Sequence, residues 1–163
     1  MSHTDTISSP AAHAPLFLVD DRLDLGQRCL RILADQPVGA ILSSFASCTR
    51  VAAPSYLTVQ YTEHVHLELT PAFLECVNHS CTPNVSFDMT LLSLVALQPL
   101  KADDELTYFY PSTEWTMTQP FKCACGSARC LNVIDGASTL SAAVLESYPL
   151  SPLVRQRLAA RGH

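Results

Sequence analysis

Charge is scarce in this chain, and positive charge is scarcer still. Asp, Glu, Lys and Arg make up 15% of the 163 residues, with 10 basic residues against 15 acidic and a formal net charge of −5. A grip on nucleic-acid phosphates needs a basic face, so no direct nucleic-acid binding is expected. The acidic balance instead suits a basic partner such as a Lys/Arg-rich peptide. Long hydrophobic runs are absent too. Runs such as LLSLVAL at 91–97 fall far short of the roughly 20 residues of a membrane-spanning helix. The opening MSHTDTISSPAAHAP has neither a basic n-region nor an apolar h-region, so it does not read as a secretory signal. Internal repeats and long linkers are also missing. These absences predict a soluble intracellular protein, cytoplasmic or nuclear, that makes no membrane contact. A hydrophobic share of 48% and this length suit one domain with a real core.

Turn residues separate many short β-rich segments. Residues 1–14, rich in Ser, Thr, Ala, His and Pro, read as a disordered arm. Strands are expected at 14–21, 28–34 and 40–46, with a hairpin formed by 55–61 and 64–70. PAFLECV (71–77) suits a short helical turn, VSFDM and LLSLVALQPL (85–100) suit strands, and ELTYFY (105–110) is strand again. After Pro111 the periodicity fails. The tail looks helical, first at SAAVLESY (141–148). A second helix follows, with Ser151 as cap, Pro152 at its first position and Gly162 at its end. The class is therefore mainly β with helices at the end.

Cys123, Cys125 and Cys130 form C-x-C-x4-C. Three thiols this close in sequence suit a tetrahedral zinc, which wants a fourth ligand in a structural site. Cys29, Cys48, Cys76 and Cys81 are the candidates. Cys81 is the most attractive, because it sits in the unusually polar run NHSCTPN (78–84).

Three segments then line up in order: NHSCTPN (78–84), DELTYFY (104–110) and CACGSARC (123–130). Together they resemble the SET-domain protein lysine methyltransferase family with its post-SET zinc loop. The likeness spans roughly 14–135 and divides the chain into an arm (1–14), a SET domain (15–118), a post-SET loop (119–136) and a helical tail (137–163). It implies a β-clip-like fold of several small curved sheets, with a knot-like threaded segment. It also implies S-adenosylmethionine as cofactor and one structural Zn2+ held by Cys81, Cys123, Cys125 and Cys130. By the same likeness Asn78 and His79 hold the cofactor, with Gly26, Arg28, Cys29 and Leu131 as further cofactor contacts. Tyr110 is the catalytic tyrosine, and Tyr108, on the same face of a strand, sets how many methyls fit. A tyrosine there favours mono- or dimethylation.

The implied substrate is a lysine in a protein or peptide, with histones within the implied class. Methyl transfer needs a neutral amine, and lysine starts near pKa 10.4. Desolvation beside the cofactor's positive charge lowers that value, so the resemblance requires no dedicated base. Tyr56 is a further channel candidate, although a half-buried strand aromatic explains it as well. Trp115 suits packing, and His64, His66 and Glu114 suit the surface.

The chain departs from the family pattern in places. The G-x-G cofactor segment is not intact: Gln27 and Cys29 stand where its glycines belong. Asp103 and Asn132 replace glycines that border the second and third motifs. The insert before NHSC is short and no pre-SET segment is present, which suits loose specificity or a homodimer that completes the groove. Two rival functions follow: a catalytically weak or inactive SET module that binds a peptide or partner, and a SET-type enzyme for a small metabolite.

Overall fold

The computed structural model describes residues 15–22 and 26–162. The expected arm at 1–14 lies outside these residues. Strands β1 (Phe17–Arg22) and β2 (Gln27–Ile32) form an antiparallel hairpin. Strand β3 (Ile41–Ser44) is followed by β4 (Thr49–Val51), β5 (Thr58–Gln60) and β6 (His66–Glu68). Strands β4, β6 and β5 make one antiparallel sheet in that order, so the expected 55–70 hairpin is present but shorter. PAFLECV supplies a 3-10 turn over Ala72–Cys76. It leads into the short strand β7 (Asn78–His79).

Strands β8 (Val85–Asp88) and β9 (Ser93–Ala96) form a hairpin that β3 joins at its β9 edge. Its turn has a local cause, because the Asp88 carboxylate accepts the N–H groups of Thr90 and Leu91 at 2.9 Å each. The predicted strand 105–110 shrinks to β10 (Thr107–Tyr108), and a 3-10 turn takes Tyr110–Ser112. Strands β11 (Phe121–Lys122) and β12 (Val133–Ile134) close the cysteine loop as an antiparallel pair. Helices α1 (Ala142–Leu145) and α2 (Pro152–Ala160) end the chain. Ser151 Oγ accepts the Val154 N–H at 3.2 Å, so the cap falls where the sequence places it.

The architecture is thus mainly β, with five small sheets among the described residues. One segment passes between two others. On one side, Ile32 N–H donates to Asp104 O at 3.0 Å and Leu106 N–H to Leu30 O at 2.8 Å. On the other, β7 pairs with β10 in parallel, Asn78 opposite Thr107 and His79 opposite Tyr108. Asn84 completes the clamp: its amide donates to Glu105 O and accepts from Thr107 N–H, both at 2.8 Å. Residues 104–108 are therefore threaded between β2 and the 78–84 loop. Asp103 (φ 71°) and Asn132 (φ 64°) take the left-handed backbone that the replaced glycines would have taken. Asp and Asn tolerate that region better than other side chains do.

The main core gathers residues from most of the strands and from the segments beside them, among them Leu30, Phe45, Leu67, Leu94 and Leu106. A second core joins the tail to Phe109, which stacks on Tyr148 with ring centroids 3.7 Å apart. Trp115 packs beside it under the Arg161 guanidinium, 4.3 Å from its ring. The tail therefore supports the back of the 109–115 segment. His66 corrects the sequence reading: it is buried, 8% exposed, and its Nδ1 has no hydrogen-bond partner.

Candidate active site

One cavity of about 780 Å³ joins the motifs. Its wall includes Arg22, Gln27, Asn78, His79, Glu105, Tyr108, Tyr110 and Glu114. Two groups of side chains stand out.

The first is a polar network. Arg22 Nη2 donates to Glu105 Oε2 at 2.7 Å, and Asn78 Nδ2 donates to Glu105 Oε1 at 3.2 Å and to Arg28 O at 2.9 Å. Both N–H bonds of the Asn78 amide are thus used inside the protein. What it can offer a ligand is its Oδ1 acceptor. Arg22 and Glu105 escaped the sequence reading: Arg22 lies outside the three motifs, and although Glu105 sits within DELTYFY, nothing local signals a pairing that crosses 83 residues.

The second group is aromatic. The rings of Tyr108 and Tyr110 lie 4.6 Å apart, and Phe87 meets Tyr108 edge-on at 4.7 Å. The Tyr110 hydroxyl donates to Val77 O at 3.3 Å, which leaves its oxygen lone pairs as acceptors. Burial, followed by the charge of Glu114, pushes the Tyr110 phenol up to about 12. It is therefore neutral at physiological pH and cannot act as a base there. Burial likewise raises Tyr108, with Tyr110 and then Glu114 adding to the effect.

His79 stands between the cavity and the cysteines. Its Nδ1 accepts the Tyr110 N–H at 3.2 Å, so a neutral ring carries its proton on Nε2. That nitrogen faces Cys81 Sγ at 3.4 Å. Burial holds the imidazole down at about 4, so the neutral form prevails.

The sulfurs of Cys81, Cys123, Cys125 and Cys130 all lie within 4.8 Å of one another, with Cys81 and Cys123 4.0 Å apart. A tetrahedron with Zn–S bonds near 2.3 Å spaces its sulfurs by about 3.8 Å, so the donor set fits zinc. Burial raises the Cys81 and Cys123 thiols. Four thiols this close cannot all ionise without a cation among them. Leu131 N–H points at Cys81 Sγ at 3.4 Å, and the Thr82 and Ser127 hydroxyls meet at 2.6 Å. Tyr148 adds a bond from its hydroxyl to Cys81 O at 2.7 Å. The 78–84 loop is therefore fastened to the cysteine loop and to the tail.

Several expected contacts fall elsewhere. Gly26, Arg28, Cys29 and Leu131 do not line the cavity. Cys29 is fully buried with its thiol toward Asp20, so its side chain does not obstruct the cavity despite the missing glycine. Arg28 reaches the site only through its carbonyl, and Leu131 packs against the second core. Tyr56 lies in a turn rather than a strand and is 72% exposed, so it can meet a ligand only at the cavity rim. Glu114, expected at the surface, lines the cavity instead.

The SET domain profile matches residues 18–111, more than half of the chain. The chain belongs to the SET domain family. "Methyltransferase flvH" of Aspergillus flavus is 41% identical over 133 residues, covering 80% of this chain and 74% of that protein. A "Histone-lysine N-methyltransferase, H3 lysine-4 specific" of Emericella nidulans is 38% identical over 66 residues, which is 36% of this chain and 5% of that one. Two crystal structures of KRYPTONITE share the fold. The complex with mCHG DNA and SAH aligns at TM-score 0.52 and 20% identity, over 65% of this chain and 26% of that one. The complex with mCHH DNA, H3(1-15) peptide and SAH aligns at 0.53 and 21%, over 71% and 28%. By family and relative the chain is a SET-domain methyltransferase. No helix among the described residues is long and apolar enough to cross a membrane.

Proposed function

We propose that the chain transfers a methyl group from S-adenosylmethionine to the side-chain amine of lysine in a protein or peptide. One observation carries this reading: the Asn78–Glu105–Arg22 network and the Tyr108–Tyr110 pair line one cavity. S-adenosylmethionine supplies the methyl, activated on its sulfonium. Asn78 Oδ1 is the natural acceptor for an α-ammonium, and Arg22 a partner for a carboxylate. His79, held by the Tyr110 backbone and facing Cys81, keeps the loop in register with Tyr110.

The neutral Tyr110 oxygen accepts an N–H of the incoming amine and points its nitrogen along the line of attack. Tyr108, 6% exposed, narrows the same space and favours transfer of one or two methyls. The zinc set at Cys81, Cys123, Cys125 and Cys130 fixes the loop that carries Asn78 and His79. The SAH and H3(1-15) peptide held by KRYPTONITE support this cofactor and a peptide substrate. That protein also holds DNA; the net charge of −5 argues against the same here.

The small-amine reading has one observation in its favour. The stretch between β6 and β7 is a single 3-10 turn, which leaves little to grip a peptide. Labelled methyl transfer to histone peptides and to free amines, run side by side, separates the two. Label on peptides alone supports the protein substrate. Label on free amines alone overturns it.

A further inference from the structure

The amine needs a destination for its proton, and one side chain in the cavity wall is placed to take it. Glu114 follows the 3-10 turn of Tyr110, with its N–H bonded to Tyr110 O at 3.0 Å. Gln60 N–H donates to Glu114 Oε1 at 2.7 Å, and Thr113 Oγ1 donates to the same oxygen at 3.1 Å. Both bonds fall on Oε1, so Oε2 is the oxygen left for a ligand. Trp115 N–H in turn donates to Gln60 Oε1 at 2.9 Å, which pins the two segments together and holds the carboxyl in place. Among the described residues no lysine or arginine forms an ion pair with Glu114. A part-buried carboxylate without a cation is costly unless something positive completes it. The titratable groups around it are the phenols of Tyr108 and Tyr110, with the His79 ring edge-on to Tyr110 at 5.2 Å.

We infer that Glu114 receives the substrate ammonium at Oε2 and takes its proton before methyl transfer. The inference rests on the methyltransferase reading above. The step balances internally: an N–H bond breaks, an O–H bond forms on Glu114, and the ammonium and carboxylate become a neutral amine and a neutral acid. The freed nitrogen lone pair then forms the bond to the methyl carbon, and the C–S electrons stay on sulfur. Burial raises Glu114 to about 7, so it keeps a proton better than an ordinary carboxyl group yet is substantially ionised near neutrality. The site therefore selects an ammonium-bearing substrate, and an aliphatic amine fits both the anion and the aromatic wall.

The test uses the zinc-loaded full chain with S-adenosylhomocysteine and n-butylamine as probe. Calorimetry at pH 7.5 in phosphate and in Tris reports protons released to buffer. Wild type should release close to none, because the proton stays with Glu114. Glu114→Gln keeps an acceptor for Gln60 N–H but cannot take a proton. It should release nearly one proton and bind at least ~10-fold more weakly. In turnover it should lose on the order of 10²-fold at pH 7.5 and recover as the pH approaches that of free amine deprotonation. Glu114→Asp should restore part of the loss. Equal proton release and parallel pH profiles for wild type and Glu114→Gln would overturn the inference. Failure of S-adenosylhomocysteine to bind would sink the methyltransferase reading instead, and n-butylamine titrated alone then decides Glu114 by the same difference.

Discussion

The loop 78–84 and the turn 110–115 face the same cavity but are built on opposite plans. In the loop, nearly every polar group has a named task. Asn78 joins Glu105, His79 bridges Tyr110 and Cys81, Asn84 clamps the threaded segment, and Cys81 enters the thiol cluster. In the turn and the residue before it, Phe109 and Trp115 belong to the second core, while Tyr110 and Glu114 line the cavity. A dense polar loop is legible as a motif because its tasks demand particular residue types in a row. A turn whose functional groups are set by what packs behind it is legible only in three dimensions.

Breaking the loop should have the largest effect. Removing zinc with a chelator, or making Cys123→Ser, should abolish cofactor binding and lower the melting temperature by on the order of 10 °C. Scanning calorimetry with metal analysis checks this, and unchanged melting in metal-free protein would refute a structural metal. On the turn side, Tyr110→Phe should leave cofactor affinity intact and lower kcat by on the order of 10²-fold, as expected for loss of one positioned polar group. Single-turnover kinetics separates that from a binding defect.

The next effect concerns what stands behind the turn. Gly136 has φ 86°, and a Cβ there would sit 2.7 Å from Trp115 O. Gly136→Ala should cost about 1–3 kcal/mol of stability. It should also lower turnover by displacing Glu114, and denaturant unfolding with a parallel assay checks both. The smallest effect sharpens the contrast. Tyr148→Phe deletes the 2.7 Å bond to Cys81 O and should cost about 1–2 kcal/mol, with turnover nearly unchanged.

Much of the fold was readable in the sequence because its determinants are local. Ser151 and Pro152 start a helix by their own chemistry, and the β-rich runs became strands, though shortened at their ends. The motif order placed Cys81 with the distant cysteines, and the structure brings those four sulfurs together. Long-range relations were not readable. Arg22 pairs with Glu105 across 83 residues, and although Glu105 lies in DELTYFY, nothing in that motif points to Arg22. Glu114 lies in a stretch without periodicity, so nothing local set the surface expectation aside. His66 alternates as a surface strand residue would, yet β4 and β5 flank β6 and its side chain is buried. The strand expected around Tyr56 starts only at Thr58, which leaves the ring on an exposed turn at the cavity wall.

The most direct test of the account is titration of S-adenosylmethionine into the folded, zinc-loaded chain by calorimetry, beside Asn78→Ala. The account predicts saturable binding at one site, weakened at least ~10-fold when the Asn78 amide is removed, the scale of one lost charge-assisted hydrogen bond. Absence of binding at millimolar cofactor, from protein shown to be folded and metal-filled, would contradict it.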